Sequence, residues 1–374
     1  MNTSSYDAHS FGVDFEREAK RLDAQVELFW PSEAEFFSRM GLDAATAIVD
    51  IGCGTGYLMK RLMERFPGVA ITGVEIDQAL VDRAKQMFIQ RGGPKPLIVN
   101  GSIQKTTLPD SAFDVAVSRL VLEHLSDPLE ALREVRRILK PDGRIIMIDN
   151  DFDFHLRTWP PVPELDTLYS AYCAAREKDG GHPRIGRQLP VLLRQAGFSQ
   201  VNMEILFAHS ADQGDEPFLK SEGSGIPAQL VRSGFLDQSI LASMSKRWVN
   251  MLHTEGHAIV RQLFYATGIK KGEGADESKI NHASAEANRT AINVAAVSSS
   301  PLTTIRKFAA TVLGVGEADL NDSLPLIQLG LDSIGAVELQ DALKTDCNVD
   351  IPVGDILSTL SIKDIAARIE SRKS

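Results

Sequence analysis

The stretch "VDIGCGTGYL" (Val49–Leu58) decides how this chain is read. An apolar run, "AIVDIG" (47–52), meets the glycines Gly52, Gly54 and Gly56 and then a helical spacing of Leu58, Leu62 and Phe66. This is a strand, a tight turn and a helix N-terminus. Glycines there let the backbone turn sharply and approach a ligand without Cβ clashes, while the free N–H groups of the helix start favour anionic groups. The dinucleotide spacing GxGxxG is not met, because Tyr57 follows Gly56. A glycine triplet alone is equally a plain structural turn, so its surroundings carry the decision.

Outward from the loop, strands and helices alternate. "VAITGVEID" (69–77) is a second strand ending near Glu75, about twenty residues past the loop, where a carboxylate can accept hydrogen bonds from both ribose hydroxyls. "QALVDRAKQMFIQRG" is a helix closed by glycine, and "PLIVNGS" and "FDVAVSRL" are strands. "DPLEALREVRRILKPDGR" is a helix stopped by Pro-Asp-Gly, and "RIIMIDND" (144–151) is the fifth strand. The alternation predicts an α/β fold with a doubly wound, mostly parallel sheet. Beyond it, "QLPVLLRQAGF" reads as a helix ending at Gly197, "SQVNMEILFA" as a strand, roughly 226–263 as helical and "QLFYATGIK" as a last strand.

The chain has 374 residues, 43% hydrophobic and 24% charged, which suits a soluble protein of two or three domains. Its net charge of −10 argues against nucleic acid or an anionic membrane as the main partner. The three cysteines, Cys53, Cys173 and Cys347, are far apart and support neither a disulfide framework nor a zinc site, so no metal is expected. The N-terminus lacks the pattern of a signal peptide, and no apolar run approaches the ~20 residues of a membrane span. A cytoplasmic, reduced setting is expected. At 271–300 the texture becomes polar and small, ending in a serine run, and reads as a flexible linker. From residue 301 to 374, "PLTTIRKFAATVLG" places Leu302, Ile305, Ala309 and Val312 on one helical face, and three more short helices fit near 333–345, 353–358 and 361–371. The expected division is therefore 1–270, a linker over 271–300, and a small four-helix domain over 301–374.

The segments "VDIGCGTGYL", "ITGVEID", "LPDSAFDVAVSRLVLEHLSDP" and "LREVRRILKPDGRIIMID", with "IGRQLPVLLRQAGF", resemble in order the class I S-adenosylmethionine-dependent methyltransferases, particularly their small-molecule branch. The resemblance spans most of residues 25–270. It implies a Rossmann-like sheet of seven strands, the last antiparallel, and S-adenosyl-L-methionine as cofactor. By the same likeness Asp50, Gly52, Gly54 and Gly56 line the methionine part, Glu75 binds the ribose, and Ser118 lies near the sulfonium end. Where the family usually places an Asp at the adenine amino group, this chain has "GSI" (101–103). Ser102 can accept one hydrogen bond there, and the backbone beside Ile103 can serve the ring.

Methyl transfer is an in-line displacement, so alignment is the main demand, and a base is needed only where the acceptor must lose a proton. Candidate bases are His124 in "VLEHLSDP" and the cluster "IDNDFDFH", which offers Asp149, Asp151, Asp153 and His155 at the carboxyl edge of the sheet. Tyr57, Phe152 and Trp159 are candidate walls of a substrate site. His182 and Arg187 fit loop structure better.

"LGLDSIGAVELQDAL" (329–343), with "LNDSLPLIQ" before it and "VDIPVGDIL" after it, resembles an acyl carrier protein domain of the polyketide-synthase type. The likeness implies that Ser333 carries a 4′-phosphopantetheine arm attached by a separate phosphopantetheinyl transferase. Ser333 then needs no base of its own, only exposure at a helix N-terminus. Asp332 and Glu338 are implied as recognition residues, and Ile334 and Val337 as a docking surface. The fusion points to a methyltransferase of polyketide or hybrid peptide–polyketide secondary metabolism, loaded by synthase enzymes acting in trans. Three readings stay open: an acyl or aminoacyl substrate methylated on the chain's own arm, a free small molecule that the carrier receives or forwards, or a carrier module with an inactive methyltransferase half.

Overall fold

The computed structural model describes residues 15–222 and 225–272 and, discontinuously, residues between 301 and 371. The chain divides into two compact units, residues 1–277 and 278–374. In the first, one sheet holds β1 (Ala47–Ile51), β2 (Ala70–Glu75), β3 (Leu97–Asn100), β4 (Phe113–Arg119), β5 (Leu139–Asp149), β6 (Leu156–Trp159), β7 (Phe198–His209) and β8 (Ala258–Lys270). Around it run α1 (Phe15–Arg39), α2 (Tyr57–Arg65), α3 (Gln78–Arg91), α4 (Pro128–Ile138), α5 (Glu164–Lys178) and α6 (Leu189–Gln195). Four further helices, α7 (Ser210–Gln213), α8 (Glu216–Ser221), α9 (Ile226–Arg232) and α10 (Gln238–Leu252), precede β8.

Strands β1 to β5 pair in parallel in the order β3-β2-β1-β4-β5. β8 runs antiparallel to its neighbours, as the family resemblance implies for the last strand. Eight strands are present instead of the expected seven. β7 lines one edge of β8 from Val260 to Lys270, so β5 (opposite 264–269) and β6 (opposite 258–261) must share its other edge. β6 thus prolongs the β5 row after a break at 150–155, and the sheet remains seven strands wide.

Local sequence sets these elements. β1 is buried at four of its five positions, as a central parallel strand must be. Asp77 caps α3, accepting from the Ala79 and Leu80 amides, and Asp127 caps α4, whose first residue is Pro128. α1, α2, α3 and α5 bury their apolar stripes on one face of the sheet; α4 and α6 cover the other. The stretch 226–263 is not one helical region. α10 stops at Leu252, a turn with Gly256 at φ 72° follows, and β8 begins at Ala258.

In the second unit the helices Pro301–Leu313 and Ile362–Ser371 pack together, burying Ile305, Ala309, Ile365 and Ile369, with a 3₁₀ turn at Leu326–Leu329. Leu339 and Leu343, four residues apart, belong to the same core. The two remaining expected helices fall largely on positions outside the described residues. Ser333, Asp332, Ile334, Val337 and Glu338, and nearly all of the expected linker, lie outside them too.

Candidate active site

The strand order reverses at β1, whose neighbours are β2 and β4, so a crevice opens beyond the carboxyl ends of these strands. A cavity of about 150 Å³ occupies it, walled by Asp50, Gly52 and Gly54 from the loop, Glu75 from β2, Ser102 and Ile103 after β3, and Arg119 from β4. Gly52 and Gly54 have φ of 75° and 52°. A Cβ on Gly52 would sit 2.3 Å from Val121 Cγ2, whereas one on Gly54 would meet nothing within 4 Å and project into free space. The backbone at Gly54 is therefore open to the cavity.

Two buried carboxylates set the electrostatics. Glu75 accepts from the Gly54 and Asp77 amides, each at 2.9 Å. Asp50 is 1% exposed, and its Oδ2 has no hydrogen-bond partner. Burial, then the nearby Glu75 charge, pushes its pKa up to about 7, with Arg119 opposing. The cavity wall thus holds a buried carboxyl oxygen with no hydrogen-bond partner beside an open stretch of backbone.

Helix α1, which the sequence reading did not assign, roofs this cavity with Arg21, Leu22, Gln25 and Val26. It is fastened to the loop by Thr55 Oγ1 donating to Asp23 (2.5 Å) and Tyr57 Oη donating to Glu27 (2.6 Å). It is fastened to β4 by Arg119, which donates to the Gln25 carbonyl and the buried Glu33. Tyr265 donates to the same Glu33 oxygen at 2.7 Å.

A second cavity, about 480 Å³, shares Arg21, Gln25 and His124 with the first. Its other walls come from the end of β5, α5 and the helices α8 to α10. Along one wall Asn150 Nδ2 donates to Glu123 Oε1 (2.9 Å) and Asn150 Oδ1 lies 3.2 Å from His155 Nδ1. His155 Nε2 stands 3.3 Å from both Glu222 oxygens.

Residues 49–147 match the family model described as a methyltransferase domain, and residues 303–369 match the phosphopantetheine attachment site. The chain carries a methyltransferase domain and a phosphopantetheine carrier domain. An uncharacterized methyltransferase of Schizosaccharomyces pombe is 32% identical over 148 residues, 38% of this chain and 52% of that protein. A malonyl-[acyl-carrier protein] O-methyltransferase of Paenibacillus is 26% identical over 156 residues, 41% of this chain and 55% of that protein. The chain thus spans only about half the length of these relatives. A phosphoethanolamine N-methyltransferase of Haemonchus contortus, solved with S-adenosyl-L-methionine, superposes with a TM-score of 0.48 at 15% identity, covering 73% of this chain and 60% of that one.

The methyltransferase domain brings Asp50, Gly52, Gly54, Glu75, Ser102 and Ile103 together around the first cavity. Gly56 and Ser118 do not line either cavity. Gly56 caps α2 at φ 76°, where a Cβ would press on Ala84 and Phe88 at 3.1 and 3.2 Å, so it serves helix packing. The buried Ser118 hydroxyl donates to the Ile51 carbonyl at 2.8 Å.

Among the candidate bases, the buried Asp151 is paired with the half-exposed Arg187 and lines neither cavity. Trp159 is 66% exposed and walls nothing. His124 does border both cavities, with its pKa pushed down to about 3, first by burial and then by Arg176 and Arg21. It stays neutral over the working range. Glu123 beside it was missed by the sequence reading. Burial raises its pKa to about 7, against Asn150 and the nearby arginines, and its charge helps hold the Asp149 carboxyl far above its usual range. Its only sequence signal is adjacency to His124. Among the described residues no group of three or more acidic, His or Cys side chains is placed to hold a metal, and no helix is long and apolar enough to cross a membrane.

Proposed function

We propose that the chain methylates an acyl or aminoacyl substrate presented on a phosphopantetheine arm at its own Ser333, within polyketide or hybrid peptide–polyketide biosynthesis. One observation carries the reading: the glycine-loop cavity and the larger cavity share Arg21, Gln25 and His124, so a nucleotide site and an acceptor site meet at one wall. The fused carrier domain supports it, as does the relative whose name gives a substrate on an acyl carrier.

Within this reading Asp50, the open backbone at Gly54 and Glu75 hold S-adenosylmethionine, with Ser102 and Ile103 beside its base. The cofactor supplies an electrophilic methyl group on sulfur. α1 excludes water from the crevice, and the shared wall fixes the angle between acceptor and cofactor, which is the larger share of catalysis in such a displacement. Neutral His124 offers the acceptor a hydrogen bond. Glu123, poised near neutrality, takes the proton where the acceptor is a hydroxyl. The carrier raises the local concentration of whatever the arm holds. A phosphopantetheinyl transferase installs that arm, and synthase enzymes load it.

The test is methyl transfer from labelled cofactor to candidate acids, supplied free and loaded on the arm. Label on the loaded form alone is expected; equal labelling of free acids overturns the carrier-bound reading. Coexpression with a phosphopantetheinyl transferase should add the arm's mass, and Ser333→Ala should abolish that addition.

A further inference from the structure

We infer that the larger cavity is an acceptor chamber for a hydroxylated aromatic group. The inference rests on the methyl-transfer reading and narrows its substrate class. At about 480 Å³ the chamber falls in the size range of sites that bury drug-sized ligands.

Its two sides differ in chemistry. One side is ring-lined, by Phe152, Tyr169 and Tyr172, with Trp248 and Met244 from α10 opposite α5. Phe152 and Tyr172 stand with ring centroids 4.4 Å apart, and Phe152 stacks on His155 at 4.4 Å and 13°. Such faces favour a planar, polarisable guest. The other side is a continuous polar row. His124 Nε2 lies 3.6 Å from Glu123 Oε1, Glu123 accepts from Asn150, Asn150 faces His155, and His155 meets Glu222. The row starts at the wall shared with the nucleotide cavity and runs down the chamber.

The signs along this row select the guest. Because Asn150 turns its amide toward Glu123, its Oδ1 receives the His155 Nδ1 proton. A lone pair on His155 Nε2 would then oppose the Glu222 carboxylate at 3.3 Å, so a proton lies between them. Glu222 is closed off by His155 and by the buried Arg261, whose Nε lies 3.3 Å from Glu222 Oε1, so Glu123 is the carboxyl left to the guest. The cation at the shared end, Arg21, is engaged in two bonds to Glu18 at 2.9 and 2.6 Å. A carboxylate acceptor of the malonyl type would meet the Glu123 carboxyl and leave the ring-lined side unfilled. A phenolic hydroxyl instead donates to Glu123 while its ring packs on the aromatic side.

The experiment uses full-length protein saturated with S-adenosylhomocysteine and calorimetric titration with 2-naphthol and, separately, hexanoate. 2-Naphthol should bind at least tenfold more tightly than hexanoate. Leu168→Trp, which fills the chamber from α5, should weaken 2-naphthol at least tenfold while the S-adenosylhomocysteine Kd moves less than twofold. Should that variant fail to fold, Met244→Trp fills the chamber from α10 and gives the same reading. Equal or tighter hexanoate binding, or 2-naphthol binding untouched by a folded chamber-filling variant, overturns the inference. Loss of S-adenosylhomocysteine binding by wild-type protein that still binds 2-naphthol would overturn the methyl-transfer reading instead.

Discussion

The unpartnered carboxylate of Asp50 should make both stability and cofactor affinity depend on pH in a calculable way. Its folded pKa is about 7 against an ordinary 3.8, so the folded protein holds a proton that the unfolded chain has released. Stability therefore falls as pH rises from about 4 to about 7 and is level above. Between pH 5.5 and 8 the remaining 1.5 units or so correspond to about 2 kcal/mol, at about 1.4 kcal/mol per unit. Asp50→Asn removes this component, so the stability difference between variant and wild type should shift by about 2 kcal/mol in the variant's favour over that interval. Urea unfolding at the two pH values measures it, and the subtraction cancels groups that do not sense the Asp50 charge. Within the proposed reading the ligand's ammonium pairs only with the ionised carboxylate, so S-adenosylhomocysteine should bind roughly tenfold more weakly at pH 6 than at its plateau above pH 7. Asp50→Asn should bind weakly and without that slope. The same slope in both proteins, or a stability difference constant with pH, would show that Asp50 is not the group responsible.

Gly54→Ala and Gly56→Ala should separate binding from packing. Both place a Cβ at positive φ, a strain of about 1–2 kcal/mol. Gly54→Ala should weaken S-adenosylhomocysteine more than tenfold by calorimetry, whereas Gly56→Ala should lose more stability, through Ala84 and Phe88, with affinity changed less than threefold. Glu33→Gln breaks the buried contact to Arg119 and should lower unfolding free energy by about 3 kcal/mol in denaturant titration. At saturating cofactor and with a hydroxyl acceptor, the methyl-transfer rate should rise with pH through a limb near 7, and Glu123→Gln should remove that limb.

The grouping of residues around the glycine-loop cavity was legible because it is local. Residues 49–58 and Glu75 lie at one turn and one strand end, so spacing alone places them together. The lining of the second cavity was not. Its walls come from the end of β5, α5 and α8 to α10, where Tyr169, Glu222 and Trp248 are joined only by the fold. Asp151 and His155 looked alike in "IDNDFDFH", and nothing in that stretch announces that Arg187 takes one while Glu222 meets the other. α1 carries an amphipathic pattern with Phe29, Phe36 and Phe37 buried, yet its role as a roof depends on partners in β4 and the loop. Gly56 shows what spacing hides: a Cβ there would press on Ala84 and Phe88, a packing demand that the glycine pattern does not announce.

Arg21, Gln25 and His124 belong to two chambers at once. Any shift of these three that one guest induces is met by the other, so the binding energies are not independent quantities. Thermodynamic reciprocity then requires that whatever factor the nucleotide imposes on acceptor affinity, the acceptor returns to the nucleotide. A single wall makes each ligand a reporter on the other.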